Sequence, residues 1–191
     1  MRVFIAVLVL IFSLQSWTKA DDIRDFEIEG MSIGDSLLDF FIEEEINLAQ
    51  KVYYPKSKKY YAFGFFQQDF YNTYEHVQFI FMANDTKYII HSISGKLFYE
   101  NQFDECNKKK DVIADEISNN LNIKRQVDNG DILKGDKTGK SISNSISFFF
   151  DNGDQIMIDC SDWSDASSYA DNLSVTLRPN YINDWLLYEA Y

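Results

Sequence analysis

The chain has 191 residues, with 18 basic and 30 acidic side chains and a formal net charge of −12. That balance repels nucleic acid and anionic lipid, so neither is expected as a partner. The 16 Phe and 12 Tyr residues supply ample apolar material for one core, and the length suits a single domain.

Residues 1–20 have the three parts of a cleavable export signal. Arg2 is the positive start, Val3 to Leu14 is an apolar run of 12 residues, and Thr18 and Ala20 are small residues before a cut. A bilayer span needs about 20 apolar residues, so the run is too short for an anchor. Cleavage is expected between Ala20 and Asp21, with no stable membrane insertion afterwards. The expected address is periplasmic or secreted, and the working domain is 21–191. Loss of Arg2 and Lys19 leaves it with a net charge of −14.

Ile23, Phe26 and Ile28 open the domain as a short edge strand. Leu37, Leu38, Phe41, Ile42 and Ile46 then recur at helical spacing, and Ser32 with Asp35 has the spacing of a capping box. This predicts one helix, or two with a kink, from about Ser32 to Gln50. Tyr60–Phe66 and Val77–Met82 read as strands. Asn84-Asp85-Thr86 turns the chain and Tyr88–Ile93 returns as a hairpin partner. Gly95 is expected to mark a bulge or a second turn. Residues 103–121 form the clearest helix, with Cys106, Ile113, Ile117 and Leu121 on one stripe. Residues 124–145 are polar and rich in Gly, Asp, Lys and Ser, and are expected as a mobile loop. Ile146, Phe148 and Phe150 alternate, Asn152-Gly153 turns, and Ile156, Ile158 and Cys160 alternate back. Leu173, Val175 and Leu177 form a strand stopped by Pro179, and Trp185, Leu186 and Tyr188 suggest a final helix. Hairpins dominate, which predicts an α+β fold. The expected form is an antiparallel sheet of about six or seven strands, with two or three helices packed on one face.

Cys106 and Cys160 are the two cysteines. An even count in an exported chain predicts one disulfide, between a helix stripe and a strand face. A loop that long stabilises by about 4 kcal/mol in the chain-entropy model.

The candidate chemical motifs have plainer readings. Gly34-Asp35-Ser36-Leu37 resembles the nucleophile block of the GDSL esterases and lipases. That family supplies its base from a C-terminal Asp-x-x-His, and no histidine follows His91 here. A serine nucleophile without a base is inert, so the block reads as the first turn of a helix. His76 and His91 flank the central hairpin and could bind zinc or transfer protons if they met. Their strand spacing reads as ordinary strand-face placement. Asp128-Asn129-Gly130-Asp131, Asp151-Asn152-Gly153-Asp154 and the Asp159, Asp162, Asp165 set offer oxygen ligands for calcium. None has EF-hand spacing, and turn chemistry accounts for them. No catalytic residue, metal ligand or cofactor is therefore expected. Asn84-Asp85-Thr86 and Asn172-Leu173-Ser174 match the N-glycosylation acceptor. The aromatic run Tyr60, Tyr61, Phe63, Phe65, Phe66, Phe70 and Tyr71 reads as core filling in its alternate half, with a ligand platform as the other use.

The segment from Phe26 to Phe40 (FEIEGMSIGDSLLDF), and that from Gly95 through Cys106 to the Lys108–Lys110 run, carry a family resemblance. They resemble small exported proteins of unknown function from marine alphaproteobacteria with compact, AT-rich genomes. That resemblance implies no activity. More distantly, Gly30-Met31-Ser32 is similar to the Gly-Met-Thr opening of outer-membrane assembly lipoproteins of the BamE type, without their lipidated cysteine. The sequence as a whole points to a non-enzymatic envelope protein that binds a partner protein or a small ligand. The alternative is a periplasmic hydrolase built on His76 or His91 with carboxylates. Intact-mass analysis of the exported protein is expected to give a chain beginning at Asp21; a product that keeps residues 1–20 would contradict this.

Overall fold

The computed structural model of the protein describes residues 22–121, 123–133, 136 and 138–191. The Ala20–Asp21 cut lies outside them. The fold is α+β: among the described residues there is one antiparallel sheet of eight strands, one more than expected, with three α-helices. The strands are β1 (Val52–Tyr53), β2 (Tyr60–Phe66), β3 (His76–Met82), β4 (Ser92–Phe98), β5 (Lys124–Ile132), β6 (Ile142–Phe149), β7 (Gln155–Asp162) and β8 (Asn172–Arg178). The helices are α1 (Glu43–Leu48), α2 (Phe103–Asn120) and α3 (Asn180–Tyr188).

In space the strands run β1-β2-β3-β4-β8-β7-β6-β5. Every pairing but β4–β8 joins sequence neighbours. The β4–β8 pairing, with Ile93 opposite Leu177 and Lys96 opposite Ser174, joins the two halves of the sheet.

Alternation along the strands sorts the side chains onto two faces. The inner face carries Tyr61, Phe63, Val77, Phe79, Phe81, Ile93, Leu173, Val175, Leu177, Ile156, Ile158, Ile146 and Phe148, all buried in one core. Half of the aromatic run is thus core, whereas Phe66 is mostly exposed. The chain before β1 and helix α2 cover this face. Phe41 stacks on Phe65 at 4.3 Å, and Phe26 meets Phe150 edge-on at 5.9 Å. Cys106 of α2 is bonded to Cys160 of β7, with Cα atoms 5.9 Å apart, so the expected disulfide is present. Ile113, Ala114 and Ile117 continue that contact along the helix.

Not every helix sits on that face. Ile182 and Trp185 of α3 pack with Tyr60, Ala62 and Ile80, which point outward. Trp185 Nε1 donates to Ser57 Oγ at 3.1 Å, and Lys56 N donates to the Ala190 carbonyl, pinning α3 to the β1–β2 connection.

Four local expectations are corrected. The edge strand at Ile23–Ile28 is instead a 3-10 turn at Ile23–Asp25 and a tight bridge between Ile28 and Met31. The Ser32–Gln50 helix is reduced to a 3-10 turn at Leu37–Asp39 and the short α1. Its backbone is spent elsewhere: Gly34 N donates to the Ile90 carbonyl, Leu37 N to the Tyr88 carbonyl, and Asp35 O accepts from Ile90 N. Residues 88–90 therefore pair with this segment, and β4 begins only at Ser92. Gly95 is neither a bulge nor a turn. It lies within β4, and the position takes glycine because a Cβ there would fall 2.5 Å from the Tyr74 ring. Finally, the 124–145 loop contains the edge strand β5 and the start of β6. Its polarity reflects exposure on both faces of an edge, not the absence of structure. Gly130, at φ 73°, accommodates the register shift between Asn129 and Asp131.

Replacing both cysteines, Cys106→Ser with Cys160→Ser, is expected to lower unfolding free energy by about 2–5 kcal/mol. Denaturant unfolding of the double variant against the oxidised protein measures it, and unchanged stability would count against the bridge as a fold-defining link.

Candidate functional site

The outer face of the sheet differs from the inner one in kind. Across β4, β8, β7 and β6 its positions are filled mainly by short polar residues: Ser92, Ser94, Ser174, Thr176, Ser161, Ser143, Ser145 and Ser147. Serine alternates with apolar residues because only the inner half of each strand faces the core. Most of these hydroxyl side chains are buried, Thr176 to 3 % exposure. Ser94 and Thr176 share a hydrogen bond of 2.7 Å across the β4–β8 joint, and Ser92 Oγ donates to the Leu177 carbonyl.

Three charged residues rise from this floor: Lys96 on β4, Asp159 on β7 and Arg178 on β8. Ser174 lies between Lys96 and Asp159 in one row across the sheet. Asp159 accepts from Ser143 Oγ through Oδ1 and from Ser161 Oγ through Oδ2, each at 2.6 Å. All three residues stay partly exposed while most hydroxyls around them are buried, so solvent reaches the charged groups of this polar trough and not its floor.

Tyrosines stand over the charged end. Tyr54 packs edge-on against Trp185 at 4.7 Å and against Tyr191 at 5.5 Å. Tyr54 and Tyr191 both lie close enough to Arg178 to interact with it electrostatically. Just past the end of β7, Trp163 touches Tyr169, ring centroids 4.7 Å apart.

Burial governs the electrostatics. It pushes the Asp159 carboxyl up from the usual range, against the two serine donors, Arg178 and Lys96. It pulls Arg178 down, against Tyr54, Asp159 and Tyr191. It pulls Lys96 down too, opposed by Asp159. Burial raises Tyr54 to about 12, so its hydroxyl remains a donor at any ordinary pH. Among the described residues, neither Lys96 nor Arg178 lies within ion-pair distance of a carboxylate. The Arg178 Nε atom is enclosed and has no hydrogen-bond partner. An unpaired buried cation costs several kcal/mol. Arg178 carries the enclosed atom, and the partly exposed Lys96 adds a second cation to the same face.

A groove of about 590 Å³ between α2 and the β5–β6 edge makes no such demand. There Lys110 pairs with Asp111, Arg125 with Asp115, and Asn144 donates to Asn107.

The sequence-derived candidates resolve as follows. His76 sits opposite Lys96 on the outer face, with its ring against Phe66 at 4.5 Å. His91 shares a 2.8 Å hydrogen bond with the Tyr181 hydroxyl. The two histidines have separate partners, and among the described residues neither is hydrogen-bonded to a carboxylate. Ser36 is the cap of the Leu37–Asp39 turn: its Oγ donates to the Lys87 carbonyl and accepts from Leu38 N. The acidic clusters do not converge, and among the described residues no group of three or more His, Cys, Asp or Glu side chains is placed to hold a metal. Of the two glycosylation acceptors, Asn84 is exposed in a turn and Asn172 is buried in β8. Sequence reasoning missed Lys96 and Arg178. The available signal was serine at alternate positions in three strands: SISGKLF, ISNSISFF and NLSVTLR.

Among the described residues no helix is long and apolar enough to cross a membrane. Comparison with protein-family models, curated proteins and solved structures gives no match.

Burial first, and Lys96 second, hold the His76 imidazole down at about 4. An unfolded histidine titrates near 6.5, so the folded state binds fewer protons and this contribution to stability is lost as pH falls from about 6.5 through 4. NMR titration is expected to show His76 neutral down to about pH 5; a midpoint at or above 6.5 would refute the burial described.

Proposed function

We propose that this chain is an exported, non-enzymatic protein of the cell envelope that holds a small ligand on the outer face of its sheet. The carrying observation is the enclosed, unpartnered Nε of Arg178 beside a serine-floored polar strip. A cation kept there at a cost in stability needs a compensating partner, and a ligand supplies one. The Cys106–Cys160 bridge supports the extracytoplasmic address, since such bonds persist in oxidising compartments.

A partner protein is the second reading, and the edge strand β5 favours it. Its nine residues are almost all exposed and pair on one side only, so an extended segment could add to it. The bulge at Gly130 interrupts that edge and weakens it as a template. A hydrolase has less support. His76 and His91 lack the carboxylate partner that would orient and activate them, and Ser94 and Thr176 are bonded to each other.

The test is native mass spectrometry of the protein purified from the envelope fraction of an exporting host. The expected result is an oxidised chain carrying a small molecule in 1:1 ratio, lost in Arg178→Gln while circular dichroism is unchanged. Retention in the cytoplasm, or a ligand that survives Arg178→Gln, would overturn the proposal.

A further inference from the structure

Granted that the outer-face trough is a ligand site, its chemistry names the ligand class. We propose that it binds an oxyanion, the carboxylate or phosphate group of a small ligand, held between the guanidinium of Arg178 and the ammonium of Lys96.

The charge count comes first. Among the outward residues of β4, β8 and β7, two cations face one carboxylate, Asp159. Both Asp159 oxygens already accept serine hydroxyls at 2.6 Å, which holds that carboxylate to the floor. It approaches neither cation within 4.0 Å. The trough therefore has one positive charge over, in a protein whose net charge is −12. A cationic ligand would be repelled. A neutral ligand would leave the cations as they are.

Donor geometry comes second. Arginine presents a planar fork that matches two oxygens of a carboxylate or a phosphate. The Nε edge of Arg178 is the part left without a partner. Tyr54 and Tyr191 interact electrostatically with Arg178, and both hydroxyls are held above their ordinary titration range by burial, so both remain O–H donors. Lys96 adds a point charge from the neighbouring strand.

Register places Ser94, Ser174 and Thr176 between the cations; Ser174 and Thr176 are buried and Ser94 is partly exposed, so a ligand would meet the charged groups above the floor and not the floor itself.

The experiment uses the mature, disulfide-bonded protein and NMR titration at constant ionic strength. The probes are inorganic phosphate, acetate, chloride and glucose, and the readout is the Arg178 Nε–H resonance with the backbone amides of β4 and β8. Saturable 1:1 shifts with phosphate or acetate, and none with chloride or glucose, are expected. Phosphate alone assigns a phosphorylated ligand, and acetate alone a carboxylated one. Each of Lys96→Gln and Arg178→Gln is expected to weaken binding at least about tenfold, as for loss of one charged hydrogen bond. Lys108→Gln, exposed on α2, should leave it unchanged. Lys96→Gln sits at a partly exposed position, so it reports even if Arg178→Gln fails to fold. Equal response to chloride, or full affinity in Lys96→Gln, overturns the proposal. Saturation by glucose alone overturns the oxyanion while the ligand trough stands. No saturation by any probe, together with a ligand-free native mass spectrum, removes both.

Discussion

The pairing of β4 with β8 is the joint on which the rest of the molecule depends. The remaining strand pairs are made between neighbours in sequence and could form locally. The β4–β8 pair brings residues 92–98 beside 172–178 and turns two meanders into one eight-stranded sheet. Only then does the inner face become one continuous core under the chain before β1 and α2. The Cys106–Cys160 bond lies on the C-terminal side of that joint, where α2 crosses β7. It restrains the helix that seals the core and does not itself connect the two halves.

The same joint builds the trough. Lys96 comes from one meander; Asp159 and Arg178 come from the other. Cross-strand register puts Ser174 between Lys96 and Asp159, and the Ser94–Thr176 hydrogen bond spans the seam. A slip of one residue would turn every hydroxyl into the core and every apolar side chain to the outer face. The hydrophobic demand of the inner face thus sets the position of the outer polar groups. Helix α3 packs on the Tyr60, Ala62, Ile80 corner of the same outer face.

The acidic composition has a structural use that leaves the trough cations unmatched. Carboxylates are taken up in capping backbone donors. Glu29 accepts from the amides of Asn72, Thr73 and Tyr74, Asp85 from those of Lys87 and Ile89, and Asp171 from those of Asn101 and Trp163. Asp136 gathers Thr138, Ser141 and Ser164, which holds its carboxyl well below the usual range. These charges sit at loops, where orphan amides need acceptors. They do not reach the sheet face where Lys96 and Arg178 stand.

Much of the fold was legible in the chain: the α2 stripe, the Asn152-Gly153 hairpin, the alternation of β6, β7 and β8, the disulfide and the α+β class. Each is a local pattern or a count. The failures share a cause. Ser32–Gln50 has helical spacing, but its backbone donors go to Tyr88 and Ile90, a partner some fifty residues away that no window can see. Residues 124–132 look like a loop because an edge strand exposed on both faces has no apolar alternation to show. The site was illegible for a related reason: a lone Lys and a lone Arg, far apart in sequence, carry no motif. What the sequence alone determined was the period of α2, β6, β7 and β8, which side of those strands is apolar, and that two thiols could meet. The tertiary structure decided which strands lie together, and hence that two cations without a carboxylate in ion-pair reach share one face. Strand periodicity is a property of neighbouring residues, whereas the placing of Lys96 and Arg178 on one face exists only once the two meanders are joined.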